Sequence, residues 1–354
     1  MNLEQLRKNK KIAILSPVAW RTPPRQYGAW ETVASNIAEG LVERDWDVTL
    51  FATADSITQA KLHAVIDKGY EEDPAQEAKV VECLQISEMM ENAGQFDLIH
   101  NNYDFIPLTY TRLIDTPMLT TIHGFSSDNI RRVYRKYKHD SYYTSISDSD
   151  RDAELPYLAT VYNGIDLSNL TVGESRGDKL VFLGRIHPDK GTHLACETAK
   201  KAGMDLIIAG IIQDKNYFNS LVKPYIDEKQ ITYIGPVGPP QRDALFKQAL
   251  ALLHLNELPE RFGLVMAEAM GAGVPVIAYD RGSCREVVAD GETGFLVTNV
   301  TEAVQAVKKI DCLDPTACRK RVEENFSIPT MVQAYEKVYA EIFKLEKEKT
   351  HVRY

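Results

Sequence analysis

The chain has 354 residues, of which 44% are hydrophobic and 26% charged, so it is long enough for two globular domains and unlike disordered, collagen-like or coiled-coil proteins. Fifty acidic and 41 basic residues give a formal net charge of −9, which argues against a general nucleic-acid binder. The five cysteines form no C-x-x-C pair, so we expect no disulfide framework or zinc site and a cytoplasmic location. No apolar run reaches the ~20 residues of a membrane span, and none is typical of a signal peptide.

Short apolar strands alternate with helical patterns through the first half of the chain. Apolar residues at helical spacing between Trp30 and Leu41 predict a helix whose outer face carries Glu31 and Glu39. Several strands are apolar without alternation, as expected for strands that are covered on both faces. The predicted strands are Lys11–Ser16, Asp47–Ala52, Asp97–His100, Met118–Ile122 and Tyr142–Ser145.

The second half repeats this alternation and ends in a long polar helix from about Pro329 to Lys347. Strand–helix alternation with short connections predicts right-handed βαβ units and a mainly parallel sheet. The predicted strands are Leu180–Leu183, Leu206–Ala209, Ile231–Ile234, Ala251–His254, Val276–Ala278 and Phe295–Val297.

The boundary between the halves is predicted at Asn163–Lys179, a segment rich in Gly, Ser, Asn and Asp. We therefore expect an α/β protein with two doubly wound, Rossmann-like domains, residues 1–165 and 170–329. Ligands of such sheets bind outside the carboxyl ends of the strands, so two domains facing across a cleft would direct both sites into it.

The stretch from Glu260 to Val276 is the most informative part of the sequence. A helix is predicted to begin near Gly263, with Glu260 before it and Glu268 inside it. The unpaired N–H groups of a first helical turn bind anions, and a glycine there lets a ligand approach the backbone closely. In such a site one carboxylate would hold sugar hydroxyls and the other a ribose hydroxyl. The alternative is an amphipathic helix with two surface glutamates.

Two further stretches carry groups suited to a phosphorylated ligand or a sugar. Arg185 and Lys190 follow a strand and Gly184, and a guanidinium with an ammonium suits a diphosphate; the alternative is a solvated loop. His123 lies at the end of a predicted strand, where its neutral ring either hydrogen-bonds a sugar or is structural.

The loop before the first long helix contains two prolines and ends at Gly28, at a predicted helix N-terminus. No G-x-G-x-x-G follows any predicted strand, which argues against an NAD enzyme. Trp20, Tyr27 and Trp30 are candidates to stack on a sugar acceptor, although a core position for Trp30 is the simpler expectation. Tyr103 and Asp104 are candidates for the same acceptor side.

Together these stretches resemble the retaining glycosyltransferases of family 4, which have the two-domain GT-B fold. Glu260 and Glu268 match the family's E-x7-E pattern, and Arg185 and Lys190 match its G-R-x-x-x-x-K pattern. Gly28 and Glu31 are similar to its N-terminal glycine loop and the Glu that follows it. Further matching stretches are His123-Gly124, Ser145-Ile146-Ser147 with Arg151, and Asn163-Gly164-Ile165-Asp166.

The resemblance implies a role for each matching residue. Arg185 and Lys190 would bind the pyrophosphate of a nucleotide sugar, Glu268 its ribose, and Glu260 and His123 the transferred sugar. The base would meet the backbone around Gly235-Pro236-Val237. The implied catalytic residues are His123, Arg185, Lys190 and Glu260, and the implied binding residues for the sugar donor are Gly28, Arg185, Lys190, Val237, Glu260, Phe262, Gly263, Leu264, Val265 and Glu268.

The resemblance also implies retention by a front-face mechanism without a metal or another cofactor, and a final helix, residues 330–354, that packs back on the first domain. The sequence departs from the family where Ala29 and Ser283 replace the second glycines of two pairs and Arg261 replaces a proline. We expect these changes to alter substrate preference. Asp148-Ser149-Asp150 matches the D-x-D of metal-dependent transferases, but its position after a strand favours a helix cap.

UDP-glucose is the expected sugar donor and GDP-mannose the second choice, with a small-molecule, glycan or lipid-linked acceptor. The basic run Arg131–Lys138 is either a solvated helix face or a weak membrane contact. A sugar-nucleotide epimerase or phosphorylase and a non-catalytic nucleotide-sugar binding module remain alternatives. The sequence does not specify an oligomeric state.

Overall fold

The structure is a computed structural model that describes residues 3–173 and 176–352, with side chains as far as Lys349. The chain divides into two compact units. Residues 1–164 and 328–354 form unit 1, and residues 165–327 form unit 2. Positions 174 and 175 of the predicted boundary segment, and positions 353 and 354 of the predicted last segment, lie outside the described residues.

Unit 1 contains a seven-stranded sheet in which all strands are parallel, in the order β3-β2-β1-β4-β5-β6-β7. Its strands are β1 (Lys11–Leu15), β2 (Asp47–Phe51), β3 (Lys61–His63), β4 (Leu98–Asn101), β5 (Met118–Ile122), β6 (Tyr142–Ser145) and β7 (Tyr157–Thr160). Its helices are α1 (Leu3–Asn9), α2 (Ala29–Val42), α3 (Ala78–Glu91), α4 (Arg131–Lys136) and α12 (Ile328–Val352).

Unit 2 contains a six-stranded parallel sheet in the order β10-β9-β8-β11-β12-β13. Its strands are β8 (Lys179–Leu183), β9 (Leu206–Ala209), β10 (Ile231–Tyr233), β11 (Ala249–His254), β12 (Val276–Tyr279) and β13 (Gly294–Val297). Its helices are α5 (Thr192–Ala202), α6 (Lys215–Tyr217), α7 (Pro239–Lys247), α8 (Leu264–Gly271), α9 (Cys284–Val287), α10 (Val300–Val307) and α11 (Pro315–Asn325).

The predicted alternation of strands and helices is confirmed. All eleven predicted strands form within about two residues of their expected bounds, because their apolar side chains are buried between helices. Two strands were missed, β3 and β7. Both lie at the edges of the unit 1 sheet and are short and partly exposed, so they lack the continuous apolar pattern of a central strand.

Helix α12 belongs to unit 1 although it follows unit 2 in the chain. Its buried tyrosines bond to the unit 1 sheet, Tyr335 to Thr121 at 2.9 Å and Tyr339 to Nδ1 of His100 at 2.8 Å. Its fully buried Glu336 pairs with two arginines from the first 44 residues, Arg7 and Arg44. The helix is thus attached by both apolar packing and a buried carboxylate.

In each sheet the strand order reverses between two adjacent strands, and such a switch point opens a crevice at the carboxyl ends of the strands. The switch lies between β1 and β4 in unit 1 and between β8 and β11 in unit 2. The loops after these four strands contain most of the residues for which a functional role is predicted, and each unit has its own group of them.

Candidate active site

Two predicted residues from distant parts of the sequence meet in unit 2. Lys190 follows β8 in a short 3₁₀ turn, and its Nζ lies 2.8 Å from Oε2 of Glu260, which lies in the loop after β11. Since β8 and β11 are the adjacent strands of the switch point, the fold places both loops at the same edge of the sheet. The contact brings together a lysine and a glutamate that the sequence predicted separately.

Glu260 is held by several donors besides Lys190. His254 Nε2 lies 3.0 Å and Asn256 Nδ2 2.5 Å from its Oε2, and the backbone N–H of Arg261 donates to Oε1 at 3.0 Å. Burial alone would raise the pKa of this carboxyl, but Lys190 and His254 outweigh burial and hold the pKa well below its ordinary value of 4.5. Glu260 is therefore an ionised, oriented hydrogen-bond acceptor at neutral pH.

The backbone of Glu260 is fixed by the loop after β12. Ser283 N–H donates to the Glu260 carbonyl oxygen at 3.0 Å, and a Cβ at Gly282 would lie 2.2 Å from that oxygen. Only glycine fits there, at a φ of +59°. Ser283 stands where the resemblance has a glycine, and its buried Oγ has no hydrogen-bond partner among the described residues.

Helix α8 begins beside Glu260, as predicted. Gly263, its N-cap, has a φ of +83°, and a Cβ there would lie 2.3 Å from Met266 Cε and 3.1 Å from Glu260 Cγ. The first-turn residues Leu264 and Val265 are half-buried, and N–H groups of a first helical turn have no partner within the helix. The Phe262 side chain packs against Phe326 in the core, with ring centroids 5.6 Å apart, so it can offer a ligand only its backbone.

Glu268 lies one turn into α8 and pairs with Arg242 of α7. Its side chain is 15% exposed, and burial raises the pKa of this carboxyl, although Arg242 opposes the shift. Arg242 is a site residue that the sequence did not predict, because an arginine on a polar helix gives no sign of its partner. The structure therefore places Glu268 in an ion pair that a ribose hydroxyl would have to share or replace.

Arg185 and Val237 lie at the same edge of the unit 2 sheet. Arg185 Nη2 lies 3.1 Å from Asp189 Oδ2, and its Nη1 donates to Gln213. Val237 is buried in the loop after β10, where Gly235 has a φ of +79° and its carbonyl accepts from Gly210 at 2.9 Å. The guanidinium is thus held by polar neighbours rather than extended into solvent.

A second group of predicted residues lines a cavity of about 410 Å³ in unit 1, after β1 and β4. Tyr27, Gly28, Tyr103 and Asp104 are among its lining residues, so the structure brings Gly28 together with the residues predicted for the acceptor side. The complete lining is Pro17, Ala19, Trp20, Tyr27, Gly28, Ala29, Trp30, Glu31, Tyr70, Glu82, Tyr103, Asp104, Phe105 and Ile106.

The prediction that Glu31 faces outward on its helix is wrong. Glu31 is 3% exposed and lines the cavity, and the Trp20 N–H donates to its Oε1 at 3.3 Å. Its side chain bends back over the helix start, where a Cβ at Gly28 would lie 2.9 Å from Oε2. Burial raises the pKa of Glu31 to about 7. Helical periodicity missed this position because the proline-containing loop covers the first turn of α2.

Asp104 lines the opposite, β4 side of the cavity and has a φ of +100°, rare for a residue other than glycine. Its Oδ1 accepts from the Tyr134 hydroxyl at 2.6 Å. Burial raises the pKa of Asp104 to about 6, and the Tyr134 hydrogen bond opposes the shift. Such backbone strain in a residue of a ligand-sized cavity is typical of functional sites.

His123 follows β5 as predicted but is not among the residues that line the cavity. Its ring stacks on Trp30 with centroids 5.6 Å apart, and its Nε2–H donates to Asn102 Oδ1 at 3.1 Å. Burial lowers the pKa of His123 to about 3, so the ring is neutral at pH 7. His123 therefore supports a residue of the cavity wall, Trp30, which is half-buried.

Comparison with known proteins identifies the family. Residues 30–169 match the model described as "Glycosyltransferase Family 4", and residues 173–325 match "Glycosyl transferases group 1". The chain belongs to glycosyltransferase family 4. Its two parallel-sheet α/β units have the GT-B fold, and the chain is a glycosyltransferase enzyme.

Two relatives of this family-4 chain match 88% and 64% of its length. Spore coat protein SA of Bacillus subtilis (strain 168) is 23% identical over 356 residues, 88% of this chain and 92% of that protein. Phosphatidyl-myo-inositol mannosyltransferase of Mycobacterium leprae (strain TN) is 26% identical over 254 residues, 64% of this chain and 67% of that protein. The solved structure of Anabaena Alr3699/HepE in complex with UDP-glucose has a TM-score of 0.73 and 18% identity, covering 94% of this chain and all of that one.

Other predictions for this glycosyltransferase concern its surface. The expectation that Asp148 opens a helix is wrong: residues 146–150 form bends and turns, in which Thr160 donates to Asp148. In the basic run, Arg131 pairs with Asp152 and Arg135 with Glu154, so part of its charge is already neutralised within unit 1.

Within the part of the enzyme that the structure describes, no group of three or more His, Cys, Asp or Glu side chains is arranged to hold a metal ion. Over those same residues, no helix combines the length and the apolar character needed to cross a membrane.

Proposed function

We propose that this glycosyltransferase moves a hexose from a uridine diphosphate donor to an acceptor hydroxyl, with retention at the anomeric carbon. The observation that carries the proposal is the contact between Lys190 and Glu260 at the N-terminus of α8 in unit 2. It joins a group that favours phosphate oxygens to a group that favours sugar hydroxyls. A nucleotide sugar contains both, because its diphosphate is bonded directly to the anomeric carbon of its sugar.

The positive side of this site suits a departing diphosphate. Lys190 supplies a compact charge and Arg185 a planar fork of donors, and the free N–H groups at the start of α8 add a partial positive charge. Charge on the diphosphate grows as the glycosidic bond breaks, so these groups stabilise the transition state more than the ground state. The same charge stabilisation makes a divalent metal unnecessary in the proposed mechanism.

The bond changes balance without an enzyme nucleophile. The bond from the anomeric carbon to the β-phosphate oxygen breaks, and a bond to the acceptor oxygen forms on the same face of the ring. The acceptor proton passes to the departing phosphate oxygen, which gives UDP and the retained glycoside. Glu260 is already committed to Lys190, His254 and Asn256, so its role is to hold the sugar rather than attack it.

UDP-glucose is the proposed donor and GDP-mannose the second candidate. The first choice is supported by the fold shared with the Anabaena protein whose structure holds UDP-glucose, and the second by a relative named as a mannosyltransferase. Glu268 would hold the ribose by exchanging part of its contact with Arg242, and the backbone near Val237 would meet the base. Residues of the unit 1 cavity would bind the acceptor.

The test is a donor screen followed by product analysis. Melting temperature is measured with UDP, GDP, UDP-glucose and GDP-mannose, since a ligand stabilises the fold according to its affinity. The donor that binds is then incubated with an acceptor library, with and without chelator, and NMR coupling constants give the anomeric configuration. We expect a shift with UDP and UDP-glucose and an α-linked product from the α-linked donor. An inverted product, or loss of activity in chelator that manganese restores, would contradict the mechanism.

A further inference from the structure

The cavity in unit 1 has a composition that the transfer reaction alone does not require. Six of its lining side chains are aromatic: Trp20, Tyr27, Trp30, Tyr70, Tyr103 and Phe105. Three more are carboxylates, namely Glu31, Glu82 and Asp104. Among the described residues that line the cavity, none is lysine, arginine or histidine. The wall therefore combines aromatic rings with negative charge and offers no basic side chain.

The three carboxylates come from different elements. Glu31 lies in α2, Glu82 in α3, and Asp104 in the loop after β4. Glu82 lies beside two of the aromatic hydroxyls: burial raises the pKa of Tyr70 and Tyr103, and the Glu82 carboxylate adds to both shifts. The acidic groups of the wall thus come from three separate elements, and their charge favours a bound cation over a bound anion.

Glu31 provides the strongest sign of a missing ligand. Its side chain is 97% buried, given its 3% exposure, and it faces the cavity. Among the described residues, the hydrogen bonds to its carboxylate come from backbone N–H groups, those of Trp20, 3.3 Å from Oε1, and of Glu31 itself. Glu71 and Glu72 are charged groups near it that oppose its ionisation, and Glu72 is itself paired with Arg25. A buried carboxyl without a counter-ion keeps its proton to a higher pH, and a cationic ligand that pairs with it would stabilise the ionised form instead.

Neutral and anionic acceptors account for this lining less well. A neutral sugar stacks on aromatic rings but needs only one or two carboxylates as hydrogen-bond acceptors. A phosphate or carboxylate on the acceptor would be repelled by all three acidic groups. A protonated amine satisfies both features, because it donates to carboxylates and is attracted to the faces of aromatic rings.

We propose that the acceptor of this enzyme is a hydroxyl compound that bears a protonated amine, such as an amino sugar, and that Glu31, Asp104 and the aromatic wall recognise its ammonium group. The cavity volume of about 410 Å³ is within the range of small-molecule sites, so it holds a sugar with an attached group. This inference rests on the proposed function for the transfer step. It adds the chemical class of the acceptor.

The test uses three aryl glucosides that differ only at carbon 2: p-nitrophenyl glucosaminide with an ammonium, p-nitrophenyl glucoside with a hydroxyl, and p-nitrophenyl N-acetylglucosaminide with a neutral amide. Affinity is measured by calorimetry without a sugar donor, at two salt concentrations, for the wild type and for Glu31→Gln and Asp104→Asn. Asparagine tolerates the positive φ at position 104. The control is Glu43→Gln, an exposed carboxylate at the C-terminal end of the same helix as Glu31.

We expect the ammonium compound to bind at least about tenfold more tightly than both neutral ones. Each cavity variant should remove most of this preference, and Glu43→Gln should keep it. Equal affinity of the three compounds, no binding by any of them, or a preference that survives in both cavity variants would overturn the inference.

Two results separate this inference from the proposed function. Transfer from UDP-glucose to neutral acceptors only, without amine preference, would overturn the acceptor class and leave the transfer reaction intact. Amine binding that depends on Glu31, with no transfer from any nucleotide sugar to the bound compound, would support the recognition site and overturn the proposed function.

Discussion

Nζ of Lys190 and Oε2 of Glu260 are 2.8 Å apart across 70 residues of sequence, and the glutamate also contacts His254 and Asn256. The contact holds the lysine in place before any ligand binds. A phosphate oxygen that approaches Lys190 can share its three donors with Glu260, so the charge pair need not break on binding. Glu260 then remains ionised beside the hydroxyls of the sugar.

The first prediction concerns the phosphate-binding groups. Lys190→Ala and Arg185→Ala should each lower kcat by about 10²–10³-fold, as removal of one transition-state donor does in other enzymes. Both variants should remain folded by circular dichroism. Lys201→Ala is the control, since Lys201 lies on the following helix α5 and pairs with Glu197 at its surface. Near-normal turnover in both variants would reject the assignment.

The second prediction is a pH dependence of stability through Glu260. A carboxyl whose pKa is lower in the folded than in the unfolded state stabilises the fold above its ordinary pKa of 4.5, and this stabilisation is lost as pH falls through the folded value. The free energy of unfolding of unit 2, measured in urea, should therefore fall more between pH 6 and pH 3 in the wild type than in Glu260→Gln. The exposed Glu292→Gln is the matched control and should follow the wild type. Parallel curves for Glu260→Gln and the wild type would show that this carboxyl is not stabilised by its partners.

The third prediction concerns Glu31 and has the opposite sign. Burial raises the pKa of Glu31 to about 7, so the folded state holds a proton there that the unfolded state releases above pH 4.5. Stability should fall as pH rises from about 4.5 to 7, by up to about 3 kcal/mol. Glu31→Gln should remove this slope, measured by denaturant titration at several pH values. An unchanged slope in the variant would place the titration on other groups.

The fourth prediction concerns Gly28, whose φ is +145° and whose added Cβ would lie 2.9 Å from both Glu31 Oε2 and Pro24 Cβ. Gly28→Ala should cost about 1–3 kcal/mol in the free energy of unfolding and weaken ligand binding in the cavity by displacing Glu31. The control Gly94→Ala places its Cβ in open space and should leave both quantities nearly unchanged. A fully stable Gly28→Ala variant with normal ligand affinity would contradict the tight packing.

The fifth prediction concerns the attachment of α12. Glu336 is fully buried and contacts Arg7, Arg44 and the Trp46 indole, whose Nε1 lies 2.9 Å from Oε1. Glu336→Gln leaves two arginines without their charge partner and should destabilise unit 1 by about 3 kcal/mol in urea unfolding. Glu341→Gln, an exposed carboxylate on the same helix, is the control. Equal stability of the two variants would mean that the buried network around Glu336 contributes little to the free energy of unfolding of unit 1.

The sequence predicts the central strands of both sheets and helix α8 because burial on both faces and helix-start signals are local. It also predicts the pairing partners Lys190 and Glu260 as members of separate motifs. It does not predict Arg242, His254 or Asn256 as neighbours, since their contacts depend on tertiary packing.

In unit 1, too, the sequence predicts some residues of the site but not the contacts that depend on tertiary packing. Tyr27, Tyr103 and Asp104 were candidates from their positions after strands, and they do line one cavity. The burial of Glu31 and the presence of Glu82 in the cavity wall were not predicted. Helical periodicity assigns a charged residue on an amphipathic helix to the exposed face. The cavity forms because a loop packs over the start of α2. That is a tertiary contact, which helical periodicity cannot predict.

Helix α12 has a consequence for the order in which the protein matures. A ribosome makes residues 1–164 first and the helix that completes their fold only after all of unit 2 has been made. Until then Glu336 is absent, and Arg7, Arg44, His100 and Thr121 lack partners that they have in the native protein. Unit 2 is contiguous in the chain, so all of its residues have been synthesised before α12 is made. Unit 1 can therefore complete its native contacts only after unit 2 has been synthesised.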